Sequence, residues 1–425
     1  MSDIRFEGWL HRSGTGGVYQ DSAGNVGIAS TQPKTRLDIQ NGAFQIGPAG
    51  ICTATTVKST NLVNATPLSH RNVIRNGHMQ IIQRGSPLSV NANIARGRTC
   101  ADGWEVSSDT NGTAVFSTSK STDTPNGFGS SLKLDVTTAD TSIASDVGTR
   151  FLMRFEGQDL QAFKKGTSDA LQWTLSFHVK SPKTGIHCIE LLDIDNNRSV
   201  SATYTITTAN TWQYVSHTFP ADTTGALDND NAQSFIIIWW LAAGSDFSGG
   251  TLNTTWNARV AANRAVGQVN VTDSTDNNFY ITGCQLEVGS EATPFEHRSF
   301  GDELSRCQRY FYMHANGSVD GNGSGGSAIC DNASAYNSDL VFFTVDFPVT
   351  MRTKPSLEAS NGSGDYGYYT PGSALTGFDT ISLDGVTTRT VGNINFSVSS
   401  AFSGGQSILV RTKTSDATMA FSAEL

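Results

Sequence analysis

Apolar and polar side chains alternate with a period of two along much of this chain. In residues 171–180 (LQWTLSFHVK) each apolar side chain is followed by a polar one. Such alternation is typical of a β-strand with one face in a core and the other in water. The same pattern, bounded by turns rich in Gly, Asn, Asp and Pro, predicts strands at 131–136, 188–194, 202–207, 212–219 and 279–288. We therefore predict a mainly β protein built from antiparallel β-sandwiches.

Composition supports this fold class. Charged residues are 16% of the 425 residues, against about 25% in an average domain, and there are 42 glycines. Both features disfavour long helices and exclude a coiled-coil rod, while the 11 prolines are too few for collagen. Segment 235–241 (FIIIWWL) is too short to span a membrane and has no polar face. It predicts a central sandwich strand, or a strand with one face against another chain.

The charge and the cysteines exclude several partners. The formal net charge is −9 and no run of Lys or Arg occurs, so we predict no nucleic-acid partner. The six cysteines include no C-x-x-C pair, and we predict no cofactor. The first residues, MSDIRFEGWLHRSG, contain no apolar segment of a secretory signal, so we expect synthesis in a cytosol and no membrane insertion.

Only one segment has helical spacing. Apolar side chains at 300, 304, 307 and 311, with acids early and arginines later, predict a helix over 299–313. Further strands are predicted after it, at 340–347, 394–398, 407–412 and 419–425. The helix is therefore expected to connect two β domains.

These patterns divide the chain into four parts. Residues 1–69 have only brief apolar steps and cannot bury a core alone, so we predict a shaft or attachment segment that packs with other copies. Residues 70–299 are predicted to form a β-sandwich, 300–313 a helical linker, and 314–425 a C-terminal β-sandwich.

A search for catalytic motifs assigns no catalytic residue. The chain lacks G-x-S-x-G, H-E-x-x-H and G-x-x-x-x-G-K-[ST]. Glycoside hydrolysis needs two suitably spaced carboxylates, which the sequence alone does not locate. We predict that the protein is not an enzyme.

Two groups of residues are candidates for binding. Tyr366, Tyr368 and Tyr369 lie in a turn-rich segment, GDYGYYTPG, where they would contact a glycan or, alternatively, pack at an interface or in a core. Four acids have the oxygen chemistry that calcium prefers, and solvated turns are the alternative; they are Asp193, Asp195, Asp228 and Asp230. No EF-hand spacing is present, and we predict no bound metal.

Five segments resemble a known family. Residues 71–85 (RNVIRNGHMQIIQRG) and 101–104 (ADGW) resemble the opening of a jelly-roll domain in tail fibres and related virion proteins of tailed bacteriophages. The C-terminal end of the same domain is resembled by three further segments: 281–289 (ITGCQLEVG), 292–298 (ATPFEHR) and 303–311 (ELSRCQRYF).

The two ends of the chain extend this resemblance. Residues 26–33 and 37–39 are similar to a V-G-I-G-T-x-x-P…L-D-V element near fibre N-termini, although Ala29 replaces the usual glycine. Residues 347–355 and 421–425 resemble the terminal β knob of such fibres.

The resemblance implies a structural fibre protein of the virion, in which residues 70–299 form a carbohydrate-binding-like β-sandwich and residues 314–425 the terminal knob. It implies a homotrimer that is anchored to other virion proteins through its N-terminal segment and attaches to host surface polysaccharide. A decoration or connector protein that binds no glycan is an alternative. A capsule-degrading tailspike fits less well, because no repeat of a parallel β-helix is visible.

Overall fold

The computed structural model describes residues 8–10, 17–28, 37–39, 44–46, 52–54, 70–91, 97–317, 326–399 and 401–425. The chain divides into two compact units, Met1–Leu68 and Ser69–Leu425. The predicted mainly β fold is confirmed, and the structure contains antiparallel sandwiches.

The first unit contains a six-stranded sheet whose strands follow chain order. Strands β3 and β4 pair in parallel and all other neighbours are antiparallel. The strands are β1 Gly8–Leu10, β2 Gly17–Gln20, β3 Val26–Ile28, β4 Leu37–Ile39, β5 Phe44–Ile46 and β6 Cys52–Ala54.

The second unit begins with a sandwich of two antiparallel sheets. Its strands are β7 Leu88–Asn91, β8 Gly97–Arg98, β9 Trp104–Ser108, β10 Val115–Ser121, β11 Ser131–Thr138, β12 Gly148–Glu156, β13 Trp173–Lys180, β14 Gly185–Asp193, β15 Arg198–Ile206, β16 Gln213–Phe219, β17 Gln233–Ala243, β18 Asn257–Ala258 and β19 Asn278–Val288. The six-stranded sheet has the order β16-β13-β19-β11-β10-β7 and the seven-stranded sheet the order β18-β15-β14-β17-β12-β9-β8.

The core lies between these two sheets. Trp104, Trp173 and Trp239 are fully buried there, and Trp173 stacks on Phe163 with ring centroids 3.8 Å apart. Burying each large apolar side chain contributes about 2–3 kcal/mol. The alternating residues of β13 supply this core, which follows from the period-two pattern of the sequence.

Strand β17 is central, as its apolar pattern predicts. It pairs with β12 on one side and β14 on the other. Its outer face, which includes Trp240, is covered by Phe247, Leu252 and Ala265 of the same chain. The second apolar face is therefore buried within this chain.

The helices are short. Besides α1 Ser245–Ser248 and α2 Phe300–Gln308, 3₁₀ turns occur at Gly157–Phe163 and Ala261–Asn263. No helix in the described ranges has the length and apolarity that a membrane crossing requires.

The predicted helix is present, but its predicted end at residue 313 is wrong. Ser299 caps the start of α2 by accepting a hydrogen bond from the Asp302 backbone N–H at 3.2 Å. The helix ends at Gln308 because Phe311 begins a strand that pairs with Ser422. Arg309 follows the helix and binds Glu156 with both ends of its guanidinium, at 2.7 and 2.6 Å, which fixes this segment to the sandwich.

The C-terminal knob is a second, smaller sandwich. Its strands are β20 Phe311–Asn316, β21 Ala328–Ala335, β22 Leu340–Asp346, β23 Ser356–Ala359, β24 Tyr366–Tyr369, β25 Thr376–Phe378, β26 Ser382–Leu383, β27 Val391–Ser397, β28 Ser407–Thr412 and β29 Thr418–Ser422. A three-stranded sheet (β20-β29-β23) and a seven-stranded sheet (β25-β24-β28-β21-β22-β27-β26) enclose a core that includes Phe343, Phe396 and Phe421.

Charged contacts join the knob to the first sandwich. Glu424 forms ion pairs with Arg84 at 2.8 Å and with Arg98 at 2.9 Å. Arg352 donates to the Asn231 backbone oxygen at 2.8 Å, and the Asn231 side chain donates back to the Arg352 oxygen at 2.7 Å. The sandwich and the knob therefore form one unit.

Candidate functional site

The tyrosine segment of the knob is a strand. Tyr366 is 0% exposed, and its hydroxyl donates to the Thr418 backbone oxygen at 2.7 Å. Tyr368 is 6% exposed, and its ring meets that of Phe402 with centroids 5.1 Å apart. Sugar stacking needs an exposed ring face, so glycan contact by these two tyrosines is corrected to core packing. Tyr369 lies half-buried at the end of β24, opposite Leu409.

Three of the four acidic candidates, Asp195, Asp228 and Asp230, lie in two adjacent turns, and Asp193 ends strand β14. The Asp228 backbone N–H donates to Asp195 Oδ2 at 2.9 Å, and Asp230 accepts from the Ala232 N–H at 2.8 Å. Asp193 is fully buried and binds the ammonium of Lys165. In the described part of the chain, no group of three or more His, Cys, Asp or Glu side chains is arranged to hold a metal ion.

The ammonium group of Lys165 lies beside these turns and supplies a positive charge there. Lys165 Nζ also binds Asp222 at 3.0 Å and the Gly225 backbone oxygen at 2.8 Å, and its side chain is almost fully buried. This ammonium compensates the buried carboxylates, so the turns have a structural explanation without calcium.

A different surface offers a binding pocket. A cavity of about 490 Å³ opens on the outer face of the six-stranded sheet of the first sandwich. It is lined by Asn126, Gly127, Phe128, Ser176, His178, Tyr214, Gly283, Ala292, Thr293, Pro294, Phe295 and His297. Its size lies within the range of small-ligand sites, about 300–1,000 Å³.

A β-bulge creates the depression in the sheet. The register between β13 and β19 shifts between Ser176 and His178, and Gly283 lies within the shift with φ +65°. A Cβ at Gly283 would lie 2.6 Å from Phe128 Cζ and 3.0 Å from His178 Nδ1. Both the positive φ and the missing side chain are therefore needed for Phe128 and His178 to approach the sheet here.

Aromatic rings form a continuous wall around the pocket. The ring centroids of Tyr214 and His178 are 5.0 Å apart, and those of His178 and Phe128 are 5.1 Å apart. Phe295 follows at 5.2 Å from Phe128, and His297 at 4.9 Å from Phe295. Tyr214 is 51% exposed and presents its ring to solvent.

Hydrogen bonds fix the loop that carries Phe295. Glu287 accepts from the Thr293 N–H at 2.8 Å and from its hydroxyl at 2.7 Å. Gln285 accepts from the Glu296 N–H at 2.8 Å. The loop is thus held against β19, and Phe295 is positioned before any ligand arrives.

The outer face of the opposite sheet is covered. Residues 244–266 cover its outer face, where Arg264 binds the buried Glu190 at 2.8 Å and lies over the Trp240 ring at 5.0 Å. The aromatic and charged side chains on that face contact one another.

The lining of the pocket combines aromatic rings with uncharged polar groups. The residues that line it include no Asp or Glu, whereas glycoside hydrolysis needs a carboxylate pair. Burial lowers the pKa of His178, and burial together with the neighbouring His78 lowers the pKa of His297. Both imidazoles are therefore largely neutral near pH 7, as weak hydrogen-bonding groups between aromatic rings.

The sequence predictions missed this pocket, although part of it had a signal. Tyr214 and His178 lie on the polar faces of alternating strands, and an aromatic side chain at such a position is exposed unless something covers it. Phe128, Gly283 and Phe295 carry no such signal, because only the folded chain brings them together.

Comparisons with known proteins identify no family. No protein-family model matches, and no curated protein matches. Solved structures with partial similarity include the enzymatically active domain of tailspike protein 4 from bacteriophage CBA120 (TM-score 0.27, 15% identity, 51% of this chain and 21% of that one). A family 11 carbohydrate-binding module from Clostridium thermocellum matches with TM-score 0.24 and 14% identity, over 45% of this chain and 91% of that one.

A putative sugar-binding protein from Bacteroides thetaiotaomicron VPI-5482 gives TM-score 0.27 and 10% identity, over 52% of this chain and 100% of that one. The chain spans about a fifth of the tailspike domain. TM-scores this low carry no conclusion about the function of this chain.

Proposed function

We propose that this protein binds glycans through the pocket on its six-stranded sheet and serves as a host-attachment fibre of a tailed-phage virion. The observation that carries the binding proposal is the wall of aromatic rings around an uncovered cavity of about 490 Å³. Sugars stack their C–H faces on such rings, while neighbouring polar groups bind the hydroxyls. Asn126 and Ser176 are polar residues of the lining that could bind the sugar hydroxyls.

The sequence supports the virion part of the proposal. Residues 71–85 and 292–298, which resemble phage-fibre segments, meet in the structure: the Asn72 N–H donates to Glu296 Oε2 at 2.8 Å, and the His78 ring lies 6.0 Å from that of Phe295. The segment that resembles the end of the fibre domain is thus the loop that walls the pocket. We further propose a homotrimer, anchored in the virion by residues 1–69, in which several weak sites act together.

The test is glycan binding by matched variants. The purified full chain is applied to an array of bacterial surface polysaccharides, and each bound glycan is measured again with Tyr214→Ala and with Phe128→Ala. Each variant should weaken binding about twofold to tenfold, because a lost aromatic contact is worth about 0.5–1.5 kcal/mol.

Tyr336→Ala is the matched control. Tyr336 is 74% exposed on the knob and lies outside the pocket, so its removal should leave affinity unchanged. Absence of binding to any polysaccharide would favour the decoration or connector alternative. Release of reducing ends from a bound polysaccharide would contradict a binding role without catalysis.

A further inference from the structure

We propose that this pocket takes an acidic saccharide, a sugar that carries a carboxylate, and that its affinity for that sugar rises as the pH falls. The inference rests on the proposed glycan-binding function and adds the charge of the ligand. It follows from three histidines around the pocket and from the partners that the nearby carboxylates bind.

Imidazoles are the main titratable groups that face the cavity. His178 and His297 line it, together with the phenol of Tyr214, and no Asp, Glu, Lys or Arg is among the lining residues. His78 lies behind His297, with ring centroids 6.4 Å apart. Among the described residues, none of the three histidines forms an ion pair with a carboxylate.

Most ring nitrogens of these histidines have no hydrogen-bond partner among the described residues. His178 Nδ1 is buried, and neither nitrogen of this ring forms a hydrogen bond within the described part of the chain. The same holds for His297, whose side chain is exposed at the rim of the pocket. His78 contacts Gln80 Oε1 through Nε2 at 2.6 Å, while its Nδ1 is buried without a partner.

Most charged groups on the surrounding elements have a partner, but not all are neutralised. Glu287 is bonded to uncharged groups, Arg71 donates to the Pro294 backbone oxygen at 3.2 Å, and the exposed Glu291 precedes the lining residue Ala292. β16 presents Tyr214, Ser216 and Thr218 to this face and adds no charge. The pairs on the other elements are Lys180 of β13 with Asp123 of the loop after β10, Lys133 with Asp135 on β11, Glu287 of β19 with Thr293 and Gln285, Glu296 with Arg298 and Asn72, and Lys120 of β10 with the Gln80 backbone oxygen.

Among the described residues, no carboxylate lies within ion-pair distance of these imidazoles, so an imidazolium in this pocket has no direct counter-charge. A carboxylate on the ligand supplies one, and hydrogen bonds between charged partners are roughly twice as strong as neutral ones. Burial lowers the pKa of His178 and His297 in the empty pocket, so the ligand must drive their protonation. Because the complex favours the protonated form, affinity for an acidic sugar increases toward low pH, whereas a neutral sugar gains nothing.

The experiment uses pairs of glycans that differ only in charge. Uronic-acid oligosaccharides and their carboxyl-reduced forms are tested on the full chain at about pH 8 and about pH 5.5, on either side of the histidine range. The acidic member should bind about tenfold more tightly than its reduced partner at the lower pH, with a smaller ratio at the higher pH.

Two variants assign the effect to the pocket. His178→Gln and His297→Gln should each reduce the preference for the acidic member. His217→Gln, on β16 but beside Phe219 on the opposite face, should retain it. The exposed position of His297 keeps the test valid if His178→Gln does not fold.

The possible results separate the two proposals. Equal binding of both members of each pair at both pH values, or tighter binding of the reduced form, would overturn the acidic-sugar inference and leave glycan binding standing. Absence of binding to every glycan would overturn the proposed function itself.

Discussion

Gly283→Ala offers a direct test of how the pocket is built. The new Cβ would lie 2.6 Å from Phe128 Cζ and 3.0 Å from His178 Nδ1, where ordinary contacts begin near 3.4 Å. Phe128 must therefore move by about 0.8 Å or more, and the ring wall opens. The residue would also adopt φ +65°, which costs about 1–2 kcal/mol for a residue with a Cβ.

We expect Gly283→Ala to lower the affinity for the glycan as well as the stability of the protein. Displacing one stacking ring costs about 0.5–1.5 kcal/mol, which corresponds to a two- to tenfold weaker affinity for the glycan that the wild-type protein binds. Isothermal titration calorimetry measures the affinity, and thermal unfolding measures the stability of the same samples.

Gly372→Ala is the matched control. Gly372 has φ +79° and no atom within 4 Å of an added Cβ, so this variant carries the backbone strain without the steric contact. Both variants should lose stability through the backbone strain, with a further loss in Gly283→Ala from the steric contact, and only Gly283→Ala should lose affinity. Unchanged affinity in Gly283→Ala would refute our account of the bulge.

Three further predictions concern the remaining interactions. Tyr366→Phe removes a buried hydroxyl and should lower the stability of the knob by about 1–3 kcal/mol in denaturant unfolding, without changing glycan affinity. Lys165→Met leaves buried carboxylates, including Asp193, without a counter-charge and should cost about 3–5 kcal/mol; calcium should not restore the midpoint. Burial raises the pKa of Glu156, but hydrogen bonds from Arg309 and Tyr310 outweigh it and lower the pKa. Its stabilising contribution is therefore present at neutral pH and lost as the pH falls below about 4.5, and Glu156→Gln should flatten the acid limb of the stability–pH curve. A calcium-dependent midpoint in Lys165→Met, or an unchanged acid limb in Glu156→Gln, would contradict these assignments.

The fold was largely predictable because its strands follow local patterns. The period-two alternation of β13 and the two-sided apolar run of β17 each predict which side chains enter a core, and the structure agrees. The polar residues of β13, which the alternation predicts to face water, are nevertheless largely buried. The start of α2 was also predictable from Ser299 and the acids after it. Its end was not, because Phe311 fits both a helical spacing and a strand, and only pairing with β29 decides between them.

The site was predictable only in part. In GDYGYYTPG, glycine and proline suggested an exposed loop. The spacing of Tyr366 and Tyr368 also fits a strand whose two rings point inward, and in the structure this strand, β24, pairs with β28. The pocket itself depends on tertiary convergence: Phe128, Tyr214 and Phe295 come from three distant segments and meet over one bulge. No local pattern encodes that meeting.

The most direct test of glycan binding in this pocket is a fluorine NMR titration with 3-fluorotyrosine. The chain has ten tyrosines, whose signals can be assigned by Tyr→Phe variants. Adding a glycan that the protein binds should shift the signal of Tyr214 and leave that of the buried Tyr366 in place. A shift of the Tyr369 signal with an unmoved Tyr214 signal would place binding on the knob and contradict the account.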